Sequence, residues 1–501
     1  MNAAVFGKEL RALFPAFLVA LLMLGQSLLM PLPFRVRLVL LVAALGPIVL
    51  GSTVVGHEYA HRTLTLMLSQ PAGRGRLFAT KAAVLVPMVA IVSLAAFLSL
   101  PDGYDLVVSA REGARVFLIL APLCGLCVSP ALSMLSRSSL AAIVFTIAIP
   151  CLVMLFAQVA GTAIHGFYNP RAVNDFAFAA SWRVVALLCL AGAIATWQQF
   201  HRLQAIEGQS ELQFPAWLRP AVTARPGPRV RGPWSVLIGK ELRLQQLAYV
   251  VACLYVLASA AMWSLEVYAP EFPRVPIEAT SLLYSGLLAI LIGAVASAEE
   301  RQLGTLPAQL LQPMAMWKQW LVKVAVVVGL TFLLAIALPL TVNLLTGDFD
   351  GRLDLRARSL RRAVVPVILT SASLYVSSLS SSGVRAMVTS LPLIGAGGLF
   401  GLLTSGIMME AARRLLEQVP QSIPLAERLA AFRRIESITD AALFAGLVTI
   451  AAIALWLAFL NHRRIDRSRN QVAVHGAILV AALLAIAMLR PVILITLWPA
   501  G

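Results

Sequence analysis

Hydrophobic positions along this chain do not alternate, and they are not set against a polar face. They gather into uninterrupted apolar runs of roughly 20 residues, the length a helix needs to cross ~30 Å of hydrocarbon. Thirteen such runs can be traced. In the first part of the chain they are Ala12 to Leu32, Leu38 to Gly56, Ala82 to Leu100, Val116 to Leu135, Leu140 to Ala160 and Val184 to Phe200. After a polar stretch come Leu247 to Leu265, Ser281 to Ala298, Val324 to Leu345, Ala363 to Ser382, Ala386 to Met409 and Ala441 to Leu460, with a last run at Val472 to Leu489. Each predicts a helix, because lipid offers no partner to an unpaired backbone N–H or C=O. His475 is the only His, Lys, Arg, Asp or Glu within any of them.

Composition agrees with a membrane protein and excludes an ordinary soluble one. Of 501 residues, 59% are apolar and 13% charged, where soluble domains carry about one-quarter charged. Lys8 and Arg11 ahead of the first run predict a cytoplasmic amino end, and that run is too long for a cleavable signal core, so it is expected to stay as an anchor. The net charge of +17 is concentrated in part between His201 and Pro233. Arg219, Pro220, Arg225, Pro226, Pro228, Arg229 and Arg231 make that stretch an extended cytoplasmic linker whose charge suits anionic lipid headgroups, not nucleic acid. Cys124, Cys127, Cys151, Cys189 and Cys253 all lie in apolar runs. The C-x-x-C of Cys124 and Cys127 is read as packing, since no thioredoxin-like βαβ pattern surrounds it.

Compared with itself, the chain proves duplicated. Gly7-Lys8-Glu9-Leu10-Arg11 recurs unchanged as Gly239-Lys240-Glu241-Leu242-Arg243. Glu58, Thr63, Leu64, Leu68, Gln70, Pro71 and Lys81 match Glu300, Thr305, Leu306, Leu310, Gln312, Pro313 and Lys323, each pair 242 residues apart. Leu135, Ser136, Ser138 and Ala142 match Leu379, Ser380, Ser382 and Ala386 at 244. A repeat of six spans preserves orientation, so matching loops face the same side. The expected organisation is a first six-span unit over 1–200, the basic linker over 201–233, a second six-span unit over 234–460 and an extra transmembrane segment within 461–501.

Each Gly-Lys-Glu-Leu-Arg block is read either as an amphipathic helix on the inner membrane surface or as a basic collar on the following span. The block after each second run is sharper. An acid, then Thr-Leu, spaced leucines and Gln-Pro predict a short cytoplasmic helix stopped by proline, with an apolar face for a partner.

Here the chain resembles the permease subunits of the ABC-2 class of ATP-binding-cassette transporters, in which an E-x3-GTL-x3-L-x-QP-like segment follows the second of six spans. Gly304-Thr305-Leu306 keeps that pattern, while Arg62 replaces the glycine in the first half. The resemblance implies an all-α fold of two tandem six-helix permease units plus one extra span. It implies that Glu58, Thr63, Leu64, Leu68, Gln70, Pro71, Glu300, Gly304, Thr305, Leu306, Leu310, Gln312 and Pro313 couple the membrane part to a separate ATP-binding subunit, present in two copies. The function so implied is export of an unidentified small-molecule or lipid-like solute across a bacterial inner (plasma) membrane. The chain itself is expected to be no enzyme and to need no cofactor or metal. Both of its Gly-Lys pairs are followed by Glu, not by the Ser or Thr of a phosphate-cradling loop.

Two rivals stay open. His57-Glu58-Tyr59-Ala60-His61 satisfies the H-E-x-x-H pattern of a zinc protease, although 242 residues later the histidines give way to Glu299 and Leu303. An ion-coupled secondary transporter also fits a repeated bundle, yet such carriers often keep charge within the membrane. Thr370, Ser371, Ser373, Tyr375, Ser377 and Ser378 make the tenth run polar on more than one face, either as the lining of a passage or as hydroxyl glue between helices.

Overall fold

The structure is a computed structural model, and it describes residues 3–60, 63–69, 73–100, 108–165, 169–202, 233–268, 277–302, 304, 314–346, 355–397, 425–463 and 473–486. Among these the secondary structure is entirely helical. In order the helices are α1 (Ala3–Leu28), α2 (Leu32–Ala60), α3 (Leu64–Leu68), α4 (Arg74–Ser99), α5 (Val108–Leu123), α6 (Ser129–Ser136), α7 (Ser139–His165), α8 (Pro170–Arg202), α9 (Pro233–Leu244), α10 (Gln246–Tyr268) and α11 (Ile277–Gln302). They continue with α12 (Met316–Leu330), α13 (Leu338–Leu345), α14 (Leu355–Leu379), α15 (383–397), α16 (Leu425–His462) and α17 (Ala473–Ile486).

Two π-helical segments join helices end to end. One, Cys124–Val128, links α5 to α6, and the other, Thr331–Ala337, links α12 to α13. Pro130 follows the first closely, and its missing N–H removes a bond that a regular turn would have made there.

Every apolar run of the sequence falls on helix among the described residues. Ten helical stretches among the described residues are long and apolar enough to cross a membrane, so the chain is a polytopic helical membrane protein. The tenth and thirteenth runs form shorter apolar helices, Ala363–Leu379 and Ala473–Ile486. The eleventh is described only as far as residue 397, and the linker over 203–232 lies outside the described residues.

The chain divides into two compact units, Met1–Tyr284 with Leu340–Asp350, and Ser285–Pro339 with Gly351–Gly501. In the first unit α2 is the central helix, packed by α1, α4, α5, α6, α7 and the first π segment. In the second, α14 packs against α16, α12 and the second π segment. The two most buried of the ten spans are those of α2 and α11.

Glycine makes the central crossings possible. A β-carbon on Gly51 of α2 would come 1.7 Å from the carbonyl oxygen of Gly125, and one on Gly293 of α11 would come 2.5 Å from that of Thr370. Gly51 and Gly293 are themselves 242 residues apart. Small residues of this kind let helix backbones approach in lipid, where the hydrophobic effect does not press helices together.

Candidate functional site

Charged residues absent from the apolar runs meet at their ends. Glu9 lies two turns into α1, Glu58 in the last turn of α2 and Lys81 two turns into α4, and all three are buried. The Lys81 ammonium donates to both oxygens of Glu9 at 2.8 Å each, to the Val54 carbonyl at 2.9 Å and to Glu58 Oε1 at 3.4 Å. Lys8, half-exposed, adds a second cation by donating to Glu58 Oε1 at 2.8 Å. Thr63 closes the other side of Glu58, its hydroxyl donating to Oε2 and its backbone N–H to the Glu58 carbonyl at 3.0 Å. His57 Nδ1 lies 2.7 Å from the Thr53 carbonyl, with Nε2 3.2 Å from Glu58 and 3.9 Å from Glu9. Burying a lone charge costs several kcal/mol, so the two acids and Lys81 persist only together.

The second unit repeats the core of this arrangement. Lys323 on α12 bonds Glu300 at the end of α11 at 2.8 Å, and it donates to the Ala296 carbonyl at 2.7 Å. Both side chains are fully buried. Lys81 and Lys323, Glu58 and Glu300, and the accepting carbonyls of Val54 and Ala296 all stand 242 residues apart. Ser129 donates to the Ile48 carbonyl at 2.8 Å, and Ser373 does the same to Ile290 at 2.7 Å. Phe78 of α4 packs edge-on against Trp197 and Phe200 at the end of α8, and Trp320 of α12 packs against Phe459 and His462 at the end of α16. The duplication is therefore one of contacts as well as letters.

In the first unit the predicted coupling segment forms α3, a single turn directly after Thr63. Leu64 and Met67 are buried, whereas Leu66 is 66% exposed, so the turn keeps one apolar residue outward. Leu68 ends α3, and Gln70 and Pro71 lie outside the described residues. In the second unit Gly304 follows α11 with φ +68°, a left-handed conformation that favours glycine. That is the physical meaning of the glycine in the motif. Thr305, Leu306, Leu310, Gln312 and Pro313 lie outside the described residues.

The Gly-Lys-Glu-Leu-Arg blocks were legible only as surface or collar segments. In the structure the first is part of α1, continuous with the span, and Glu9 within it faces inward. The second lies in α9, which ends at Leu244 before α10 begins at Gln246, and its Glu241 is likewise buried. Nothing in the sequence marked Lys81 as buried, because it reads as the last member of a basic stretch beginning at Arg74. The signal that finds it is its fixed separation from Lys323, shared with Glu58 and Glu300.

Of the candidate pathway residues, Thr370 donates to the Ala289 carbonyl at 3.1 Å, Ser373 to Ile290, and Ser377 to Ala294 at 2.7 Å. Ser377 also accepts from the backbone N–H groups of Ser297 and Ala298. Ser371 bonds within α14, Ser378 accepts from Asn461 of α16 at 3.0 Å, and Tyr375 is buried with its ring 6.4 Å from that of His475. Thr370, Ser373 and Ser377 thus tie α14 to α11. A further buried polar group, missed in the sequence, joins Tyr255, Ser281 and Asn343 in the first unit.

Of the H-E-x-x-H residues, His57 and Glu58 belong to the charge cluster, while His61 lies outside the described residues. Glu9, His57 and Glu58 present ligand atoms within 4.8 Å of one another, spacing compatible with a metal ion. The Lys81 ammonium already stands within 3.4 Å of both carboxylates and supplies the positive charge. Comparison with protein families, with curated proteins and with solved structures finds no match to this chain. Sequence and structure together place it among multi-span helical membrane proteins.

Proposed function

We propose that this chain is the membrane subunit of an ATP-driven transporter, built as two tandem six-span units with one added carboxyl-terminal span and powered by separate ATP-binding subunits. The reading rests on its resemblance to ABC-2 permeases and on the paired contacts 242 residues apart.

One observation carries the coupling role. α3 is a single turn with Leu66 turned outward, and Thr63 at its start is bonded to Glu58. Through Lys81 that carboxylate is tied to Glu9, so α3 is continuous with α1, α2 and α4 by hydrogen bonds that cross from helix to helix. A partner pressing on α3 moves three spans at once. In the second unit Glu300, Lys323 and the turn at Gly304 provide the matching attachment, and two attachments call for two ATP-binding copies.

Both Gly-Lys pairs of this sequence continue with Glu, which supports a separate motor, and the gathering of charge at the span ends supports ATP over an ion gradient as the driving force. The solute is of a small-molecule or lipid-like class, and lipid surrounds the spans. Transport by the chain reconstituted with its ATPase, assayed with ATP and then with only an ion gradient, tests the reading. Uptake that follows the gradient and ignores ATP overturns it in favour of a carrier.

A further inference from the structure

The C-x-x-C of the first unit is not where its thiols meet. Cys124, the first residue of the π segment, has its sulfur 3.6 Å from that of Cys189 on α8, and both are buried. The wall around them is apolar, made of Val185, Leu120, Val128 and Val153, with Cys127 beside it.

The crossing that holds these sulfurs is fixed by backbone contact. Cys189, Gly192 and Thr196 share one face of α8 at helical spacing. A β-carbon on Gly192 would lie 3.0 Å from the Cys127 carbonyl oxygen, and Thr196 donates to that same carbonyl at 2.9 Å. The sulfurs have about 1.5 Å to close to reach the ~2.05 Å of a disulfide. All five cysteines belong to the first unit, so a bond here restrains one unit alone.

We propose that Cys124 and Cys189 are a reversible redox pair, oxidised to an interhelical disulfide by a membrane-soluble oxidant of the quinone class. The two S–H bonds break and one S–S bond forms. Two electrons and two protons pass to the quinone, which leaves as hydroquinone. A lipid-soluble oxidant is assigned because the pair lies beneath an apolar outer surface, with Leu187 and Leu190 of α8 64% and 61% exposed. The apolar side chains packed around the pair disfavour charged soluble disulfides as the oxidant. Closure would pin α8 to the π segment, the widened turn of the fourth span.

The test uses the full chain in native membranes, treated with a short-chain ubiquinone analogue and then denatured in detergent for thiol counting with a mass-tagged maleimide. The expected result is a loss of two of the five countable thiols. They return on dithiothreitol treatment, and peptide mapping finds the Cys124–Cys189 link. Cys127→Ser should behave as wild type, and Cys124→Ser and Cys189→Ser should lose none. Five thiols remaining after treatment, or a link through Cys127, overturns the pair. Closure by copper-phenanthroline but not by the quinone overturns the oxidant. Mapping of the wild-type chain decides these points even where a variant fails to fold.

Discussion

Lys81 is the residue on which most of the first unit's buried polarity depends. It bonds both Glu9 and Glu58, two carboxylates that are 1% and 0% exposed, with Lys8 supplying the second cation. Lys81→Met is expected to cost about 3–5 kcal/mol, the usual penalty for stranding a buried charge. The double variant Lys81→Met with Glu9→Gln should lose less than the two single changes added together. Thermal unfolding of detergent-purified protein followed by fluorescence checks both, and additive losses would show that the two side chains do not interact. Gly51 poses a steric version of the same dependence. Gly51→Ala drives a methyl group into the Gly125 carbonyl, and Gly293→Ala does so into that of Thr370. Both should cost about 1–3 kcal/mol or more, read as a lowered unfolding temperature, whereas Gly7→Ala, inside α1 with a β-carbon that meets nothing within 4 Å, should not lower it.

Among the elements, α3 is a single turn with Leu64 and Met67 turned inward and Leu66 outward, and its two apolar faces should respond differently. Leu66→Asp leaves folding unchanged because the side chain is already exposed, and it should abolish ATPase association. Met67→Asp places a charge at a 3% exposed position and should reduce folded yield. Size-exclusion profiles with co-purification of the ATPase separate the two effects. Equal loss of folding for both variants would contradict the outward face assigned to Leu66.

The spans themselves were readable from the chain because lipid leaves the backbone no alternative to a helix, and an apolar run states that requirement outright. Helix ends were harder. α1, α2 and α4 extend beyond their apolar runs to carry Glu9, Glu58 and Lys81, where the sequence predicts a surface helix or collar around Glu9 and a separate short helix from Glu58. Repetition exposed these residues as special, yet only three dimensions show that Glu9 from one repeated block bonds Lys81 from another. The hydroxyls of α14 illustrate the converse. Their number was evident, but their carbonyl partners on α11 were not.

Across the whole molecule, charged residues are absent from nearly all the apolar runs, and those near the run ends are fastened to one another at positions that repeat along the sequence. Each half has a lysine, a glutamate and a main-chain carbonyl in the same relation, so a force applied at either end segment meets a rigid joint. In the first half Glu9, Lys8 and His57 also belong to that joint. If the joints serve coupling, Lys323→Met should reduce transport per ATP hydrolysed as well as stability, with Lys323→Arg restoring part of both. A stability loss with an unchanged transport-to-hydrolysis ratio would leave Lys323 a purely structural residue.

The most direct measurement replaces Leu66 with a photo-activated benzoylphenylalanine in the full chain, irradiates intact cells and identifies the cross-linked product by mass spectrometry. With α3 as the docking element, the expected product is a covalent adduct to a polypeptide bearing an ATP-binding phosphate loop, absent when the same probe replaces the exposed Leu187 of α8. Adducts to lipid alone, or to proteins without nucleotide-binding capacity, would contradict that role.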